Sequence, residues 1–184
     1  MTLLWGAVVG VLLGWIVGGR LRNLEGLHLR AGWLILLALV IQALIFPLGH
    51  ADPLLPYATV PLHFLSYGLL ALFLGLNLRH WPLGLLALGL VANLAAIAAN
   101  GGYMPAAVEA LRKAGMEGAA EALLSQGKLG NVVLMGTGTK LNWLGDWLWL
   151  PHWVPLAMAF SPGDLLIGLG LACFIPYGMR MRER

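Results

Sequence analysis

Charge is what this chain has least of. Asp, Glu, Lys and Arg make up only 10% of its 184 residues, against 60% hydrophobic residues and a mean hydropathy of +0.83. A soluble domain of this size carries roughly 25% charged residues, so the scarcity excludes one and indicates an integral membrane protein. The single cysteine, Cys173, excludes an intrachain disulfide and leaves the redox compartment unread. No Cys/His zinc spacing, phosphate-cradling Gly loop, Ser-His-Asp set or Cys-His set occurs, and Asn142-Trp-Leu lacks the Ser or Thr of a glycosylation acceptor. The net charge of +3 is spread over short turns instead of forming a basic patch interleaved with aromatics, so nucleic acid is not an expected partner.

What the chain has instead is long apolar runs. A helix crosses the hydrocarbon of a bilayer with roughly 20 apolar residues, and five stretches qualify, about 2–19, 31–48, 60–78, 82–99 and 163–179. The expected fold class is therefore all-α: a polytopic membrane protein with five transmembrane helices, forming one integral membrane domain over residues 1–184. In the first run the basic residues follow the apolar stretch and no A-x-A site occurs, so it reads as a retained helix and not as a secretory signal. Gly6, Gly10, Gly14 and Gly18 recur one turn apart along it, a ladder of the kind that lets helices approach closely in lipid, either within the chain or against a partner subunit.

Loop charges orient the helices. The turns at 20–30 and 79–81 and the tail 180–184 hold seven arginines against two glutamates, while the opposite side holds four basic residues against six acidic ones. The positive-inside rule makes the arginine-rich side cytoplasmic, with the N-terminus out and the C-terminus in, and brings those arginines near anionic headgroups.

Most of the remaining sequence falls in one outer loop, 100–162, far longer than an ordinary connection. Asn100-Gly-Gly-Tyr-Met-Pro105 reads as a turn. From Ala106 to Leu124, Val108, Leu111, Gly115, Ala119 and Ala122 fall at helical spacing, with Glu109, Lys113, Glu117 and Glu121 on another face, which predicts an amphipathic helix lying on the outer surface. The order of Glu109 and Lys113 suits an ordinary i, i+4 pair, so those charges need no catalytic role. Trp143, Trp147, Trp149 and Trp153 make the following stretch a Trp-rich interfacial loop, the indoles anchoring at the lipid boundary.

Asp146 and Asp164 close that loop. Two carboxyls brought together at a water–lipid boundary share a proton, leaving one acid to protonate a leaving group and one base to activate water, which is the requirement of aspartyl proteolysis. Asp164, however, follows Ser161 and Pro162 at a helix start, so its carboxylate also suits a cap on orphan backbone N–H groups. Spacing leaves both readings open.

Leu144-Gly145-Asp146-Trp147 followed by Phe160-Ser161-Pro162-Gly163-Asp164 resembles the lipoprotein signal peptidases (signal peptidase II), where Val-Val-Asp-Phe and Phe-Asn-x-Ala-Asp carry the catalytic aspartates. Leu129-Gly130-Asn131 resembles that family's upstream Gly-Asn, and Asn100-Gly-Gly its earlier Asn-x-Gly element. The resemblance implies Asp146 and Asp164 as a catalytic dyad and a lipoprotein-like substrate, with Asn100, Asn131, Thr139 and Lys140 as supporting polar groups. Over essentially the whole length the chain resembles more closely a family of uncharacterised bacterial membrane proteins. The shared pattern runs from Gly18-Gly19-Arg20 through Asn100-Gly-Gly-Tyr-Met-Pro105 and Thr139-Lys-Leu-Asn-Trp-Leu-Gly-Asp146 to Phe160-Ser-Pro-Gly-Asp164. That resemblance implies a multi-pass protein of the bacterial inner membrane and transfers no activity.

No cofactor is expected. His50, His63 and His152 map to the outer side and His28 and His80 inside, without the pairing that a transmembrane haem or a metal requires. Gln42, Asn77 and Asn93 suit hydrogen bonds between helices. The expected function is a paired-aspartate, signal-peptidase-II-like site facing the outer side, active or degenerate. The alternative is a non-catalytic accessory subunit of a membrane complex that docks through the Gly ladder.

Overall fold

The computed structural model describes residues 2–47 and 54–181. His50 and Asp52, and Arg182, Glu183 and Arg184 of the tail, lie outside the described residues. Five long helices are present: α1 (Thr2–Ile16), α2 (Trp33–Ile45), α3 (Thr59–Asn77), α4 (Pro82–Ala99) and α7 (Pro162–Met179). Between α4 and α7 stand two short helices, α5 (Val108–Lys113) and α6 (Glu117–Gln126). Among the described residues three segments are long and apolar enough to cross a membrane: Pro56–Asn77, which includes α3, then α4 and α7. α1 and α2 are apolar but run only 15 and 13 residues, about 22 and 20 Å against a hydrocarbon thickness of about 30 Å.

Long helices consecutive in the chain alternate in direction. Gln42 Nε2 of α2 donates to Ser66 Oγ of α3 at 3.2 Å, and Leu34 packs with Phe73 and Leu74, so that pair is antiparallel. Leu83 and Leu90 of α4 complete this apolar core. α7 crosses back along α4: a Cβ on Gly89 would meet Ile167, and one on Gly170 would meet Leu86. Polar side chains tie the bundle further. Asn77 donates to the carbonyls of Phe73 and Arg30, and its Oδ1 accepts from Arg30 N–H at 2.8 Å, fastening α3 to the turn before α2.

Three rungs of the glycine ladder lie against α7, which runs parallel to α1. A Cβ on Gly6 would stand 2.5 Å from the Gly168 carbonyl oxygen, one on Gly10 3.0 Å from Ile175 Cβ, and one on Gly14 would collide with the Met179 sulfur. Gly18 does not belong to this face. It lies beyond the last helical residue with φ +75°, and nothing stands within 4 Å of a Cβ placed there. Substituting Gly6 with valine is therefore expected to wedge α1 from α7 and to cost about 1–3 kcal/mol. Gly68→Ala, in open space on α3, should instead stabilise its helix by up to about 1 kcal/mol. Thermal unfolding of the two variants in one detergent gives the comparison, and an equal loss for both would sink this packing account.

Segment 100–162 departs from an all-helical expectation. Met104–Ala106 (β1), Lys128–Leu129 (β2) and Val132–Leu134 (β3) form a sheet of order β1-β3-β2, parallel between β1 and β3 and antiparallel between β2 and β3. Leu148–Trp149 (β4) pairs antiparallel with Ala159–Phe160 (β5). These strands of two or three residues are too short for alternation to register in the sequence. The single amphipathic helix expected over 106–124 is instead two, α5 and α6. Gly115 adopts φ +75° between them and its Cα sits against His152, where an added Cβ would stand 2.9 Å from the His152 Cβ. Ala106, Leu111, Ala120 and Leu123 form the core of this small module. It is joined to the bundle through Ala96 and Ile97 of α4 and Met104 of β1, against which Tyr67 and Leu144 pack.

Candidate functional site

Asp164 is positioned by the start of α7. Ser161 is the N-cap in extended backbone (φ −96°, ψ 163°), and its Oγ accepts from Asp164 N–H at 2.9 Å while Asp164 Oδ2 accepts from Ser161 N–H at 3.1 Å. This is a reciprocal capping box, and Pro162 supplies the first helical φ without needing an N–H partner. α4 adds a third member. Asn93 Nδ2 donates to Asp164 Oδ1 at 2.9 Å, and Asn93 Oδ1 accepts from Ser161 Oγ at 2.8 Å. Ser161 and Asn93 are buried. The closure requires Gly163, because a Cβ there would overlap Asn93 Oδ1 and stand 2.8 Å from the Gly89 carbonyl oxygen. Both Asp164 oxygens thus accept from fixed donors at the start of a helix.

Asp146 is held by its backbone. Its N–H donates to the Pro105 carbonyl at 2.8 Å and its carbonyl accepts from Ala107 N–H at 2.9 Å, so the residue pairs with Ala106 along the free edge of β1. Gly145 permits this approach, since a Cβ there would stand 2.5 Å from the Pro105 oxygen. Among the described residues the carboxyl has no hydrogen-bond partner, and its Oδ1 is enclosed. Burial, and after it the negative charge of Asp164, push the Asp146 carboxyl well above the usual carboxylate range. The Asp164 charge is thus within electrostatic range of the Asp146 carboxyl. Tyr67, rising from α3 beneath them, lies within electrostatic range of both.

The two carboxyls are held differently: among the described residues Asp146 has no donor and Asp164 has two. A groove of ≈ 320 Å³ runs from Asp164 between α1 and α7, walled by Trp5, Val9, Val154, Phe160 and Leu169 among other residues. An apolar chain laid there would have one end beside a carboxylate.

The other polar residues singled out in the sequence act at one remove, and none hydrogen-bonds either carboxyl. Asn100, ending α4, donates through Nδ2 to the Ala96 and Lys140 carbonyls at 2.7 and 2.8 Å and accepts from Lys140 N–H at 2.8 Å. It pins the strand of loop that leads to Asp146, and Lys140 takes part through its backbone alone. Thr139 Oγ1 accepts from Gly136 N–H at 2.9 Å and donates to Asn142 Oδ1 at 2.7 Å, closing the preceding turn. Between them Leu141 adopts φ +53°, a conformation that non-glycine residues rarely take and that marks strain held in place by its surroundings. Asn131 contributes its backbone carbonyl to Met104 N–H, and its exposed side chain has no recorded partner.

The residues that complete the site were weakly signalled in the sequence. Asn93 drew notice only as a hydrogen-bonder between helices, Ser161 only as a helix starter, and Tyr67 not at all. His63 is buried, with Nδ1 3.0 Å from the Gly102 carbonyl and its ring edge-on to Phe46 and Tyr67. Among the described residues no three His, Cys, Asp or Glu side chains converge as a metal site would require. Trp143 and Trp153 are 66% and 75% exposed, and Trp147 and Trp149 are also open to the surroundings.

A protein-family model described as a family of unknown function (DUF5317) matches residues 26–176. No curated protein and no solved structure matches the chain.

Proposed function

We propose that this chain, which belongs to the family of unknown function DUF5317, is an aspartyl membrane peptidase of the signal-peptidase-II type, with Asp146 and Asp164 as its catalytic pair. The observation that carries this reading is the asymmetry of the two carboxyls: Asp164 is braced on both oxygens, whereas Asp146 is enclosed and has no partner. A capping role accounts for the first and not for the second. A buried carboxyl with no hydrogen bond lowers stability, and such a group is retained where chemistry needs it.

In this reading the bundle spans the bacterial inner membrane five times. α1 and α2 extend their reach with flanking segments, and the alternation of helix direction accommodates five passes. Arg20, Arg22, Arg30, Arg79 and Arg180 gather at the end away from Asp146, so that end faces the cytoplasm and the site faces outward. The exposed tryptophans lie at the outer lipid boundary. A substrate segment rests its apolar flank in the groove between α1 and α7. Asp164 takes a proton from a water that attacks the scissile carbonyl while Asp146 donates its proton to the carbonyl oxygen; as the resulting gem-diol collapses, Asp164 passes its proton to the leaving amine and one hydroxyl returns a proton to Asp146. A lipoprotein precursor, with an acylated residue next to an apolar helix, suits that groove. The alternative, an accessory subunit docking through the glycine ladder, is less favoured because Gly6, Gly10 and Gly14 face α7.

The test is to reconstitute the full chain in liposomes with synthetic precursor peptides, acylated and unacylated, and to follow cleavage by mass spectrometry. Binding of a peptide carrying a tetrahedral hydroxyl isostere at the scissile position is measured in parallel. Cleavage of the acylated peptide, competed by the isostere, is expected. Failure of both cleavage and isostere binding would sink the peptidase reading.

A further inference from the structure

The opposite end of the bundle carries a second site, unrelated to the aspartates. There the chain turns back after α1 and its Arg20–Gly26 segment packs under the last turn of α7. Arg20 N–H and Asn23 Nδ2 both donate to the Met179 carbonyl, at 3.0 and 2.8 Å. Between these elements opens a polar pocket of ≈ 660 Å³ lined by Arg20, Arg22, Asn23 and Arg180 together with Val17 and Gly18. Three arginines from two distant parts of the sequence thus border one cavity. Among the described residues none of the three is in an ion pair: Glu25, on the same turn, engages none of them, and Arg112–Glu117 is the one salt bridge recorded.

Three arginines around one cavity, with no ion-pair partner among the described residues, call for an anion. The end of a helix ordinarily repels one through its free carbonyls. Here the Met179 carbonyl is taken by Arg20 and Asn23, those of Pro176 and Gly178 by Arg180 N–H, and that of Gly178 also by Met181 N–H, so the arginines dominate the local field.

The pocket has an apolar continuation. Val17 and Arg180 also border a neighbouring trough of ≈ 560 Å³ whose other walls are Trp81, Cys173, Pro176 and Tyr177. Trp81 is 62% exposed, so the trough opens outward from the bundle. A charged head and an apolar tail therefore have adjoining places, with Arg180 at the junction.

We propose that the arginine-rich end of the bundle is a binding site for one anionic phospholipid, its phosphate among Arg20, Arg22 and Arg180 and an acyl chain in the trough beside Trp81 and Pro176. The juxtaposition of the two cavities distinguishes this from diffuse attraction between juxtamembrane arginines and a charged leaflet. Diffuse attraction needs no pocket and no apolar wall, and soluble phosphate has no use for the trough.

The experiment uses the full chain purified in a neutral detergent. Phosphatidylglycerol, phosphatidylcholine and glycerol 3-phosphate are each titrated, with bound lipid counted by native mass spectrometry and stability followed as Tm. The wild-type chain is expected to hold one phosphatidylglycerol, raising Tm, in preference to phosphatidylcholine, with glycerol 3-phosphate giving no comparable protection. Arg20→Gln/Arg180→Gln should weaken phosphatidylglycerol binding by about tenfold or more. Both side chains are exposed, so its Tm in detergent alone should match that of wild type. Arg112→Gln/Lys113→Gln, which removes the same charge at the other end, should leave lipid binding unchanged. Equal binding of the two lipids, an equal loss in the Arg112/Lys113 variant, or protection by glycerol 3-phosphate as strong as by the lipid would each overturn the proposal.

Discussion

Asp164→Asn and Asp146→Asn are expected to abolish cleavage alike and yet to move stability in opposite directions. Each removes one partner of an acid–base pair, at a cost of about 10²- to 10⁴-fold in rate. Their structural consequences differ because the two carboxyls are held differently. Asp164 accepts from Asn93 Nδ2 on one oxygen and from Ser161 N–H on the other. An amide offers only one oxygen, so in Asp164→Asn a donor faces a donor, at a cost of about 1–3 kcal/mol. Asp146 has no hydrogen bond to lose and a buried oxygen without a partner. A neutral amide there removes the need to bury a charge next to Asp164.

The pH dependence follows. Burial and the Asp164 charge raise the folded Asp146 carboxyl above its unfolded value of about 3.9, so between those two values the folded state binds more protons than the unfolded one. Stability contributed by this group is present at low pH and declines as pH rises from about 3.9 toward the raised folded value, by at most about 1.4 kcal/mol per pH unit. Asp146→Asn should flatten that decline and unfold at higher temperature than wild type at neutral pH. Thermal unfolding of the three proteins across pH 4 to 8 provides the comparison. Were Asp146→Asn destabilised across that whole range, its carboxylate would be a structural group and the acid–base assignment would fall.

Gly163→Val is expected to be the most damaging single change outside the two aspartates. At this position α4 and α7 approach so closely that a Cβ overlaps Asn93 Oδ1 and stands 2.8 Å from the Gly89 backbone oxygen. Valine adds two further methyl groups, forcing the helices apart and dragging Asn93 from Asp164. Overpacking of this kind costs about 1–3 kcal/mol, and loss of the Asn93 hydrogen bond to a carboxylate adds about 1.5–3 kcal/mol. The cost should be shared with Asn93. Gly163→Ala and Asn93→Ala combined should destabilise less than the sum of the two alone, because removing the amide vacates the space the methyl needs. Gly84→Ala, on α4 with Asn93 but in open space, is the control and should be neutral or mildly stabilising. Strict additivity in the double variant would show that the Gly163 contact does not act through Asn93.

The membrane class, the positions of the apolar helices and the two aspartates were determined by sequence alone, because each rests on local composition. Long apolar runs with few charges, prolines at helix starts and arginines confined to particular turns are legible without a fold. The Ser161–Asp164 spacing likewise announces a cap, since a capping box closes over three residues. Tertiary structure decided everything that depends on residues far apart. It split the helix expected over 106–124, because the backbone at Gly115 is set by contact with His152. It built strands of two or three residues whose pairing partners lie up to 28 positions away, as with Met104 and Val132. It turned three rungs of the glycine ladder onto α7 and left Gly18 in the open. Above all it brought Asn93, 71 residues distant in the chain, onto Asp164 and left Asp146 with no partner. A side chain's hydrogen bonds and burial are properties of its neighbours in space, and those neighbours are chosen only when the helices pack.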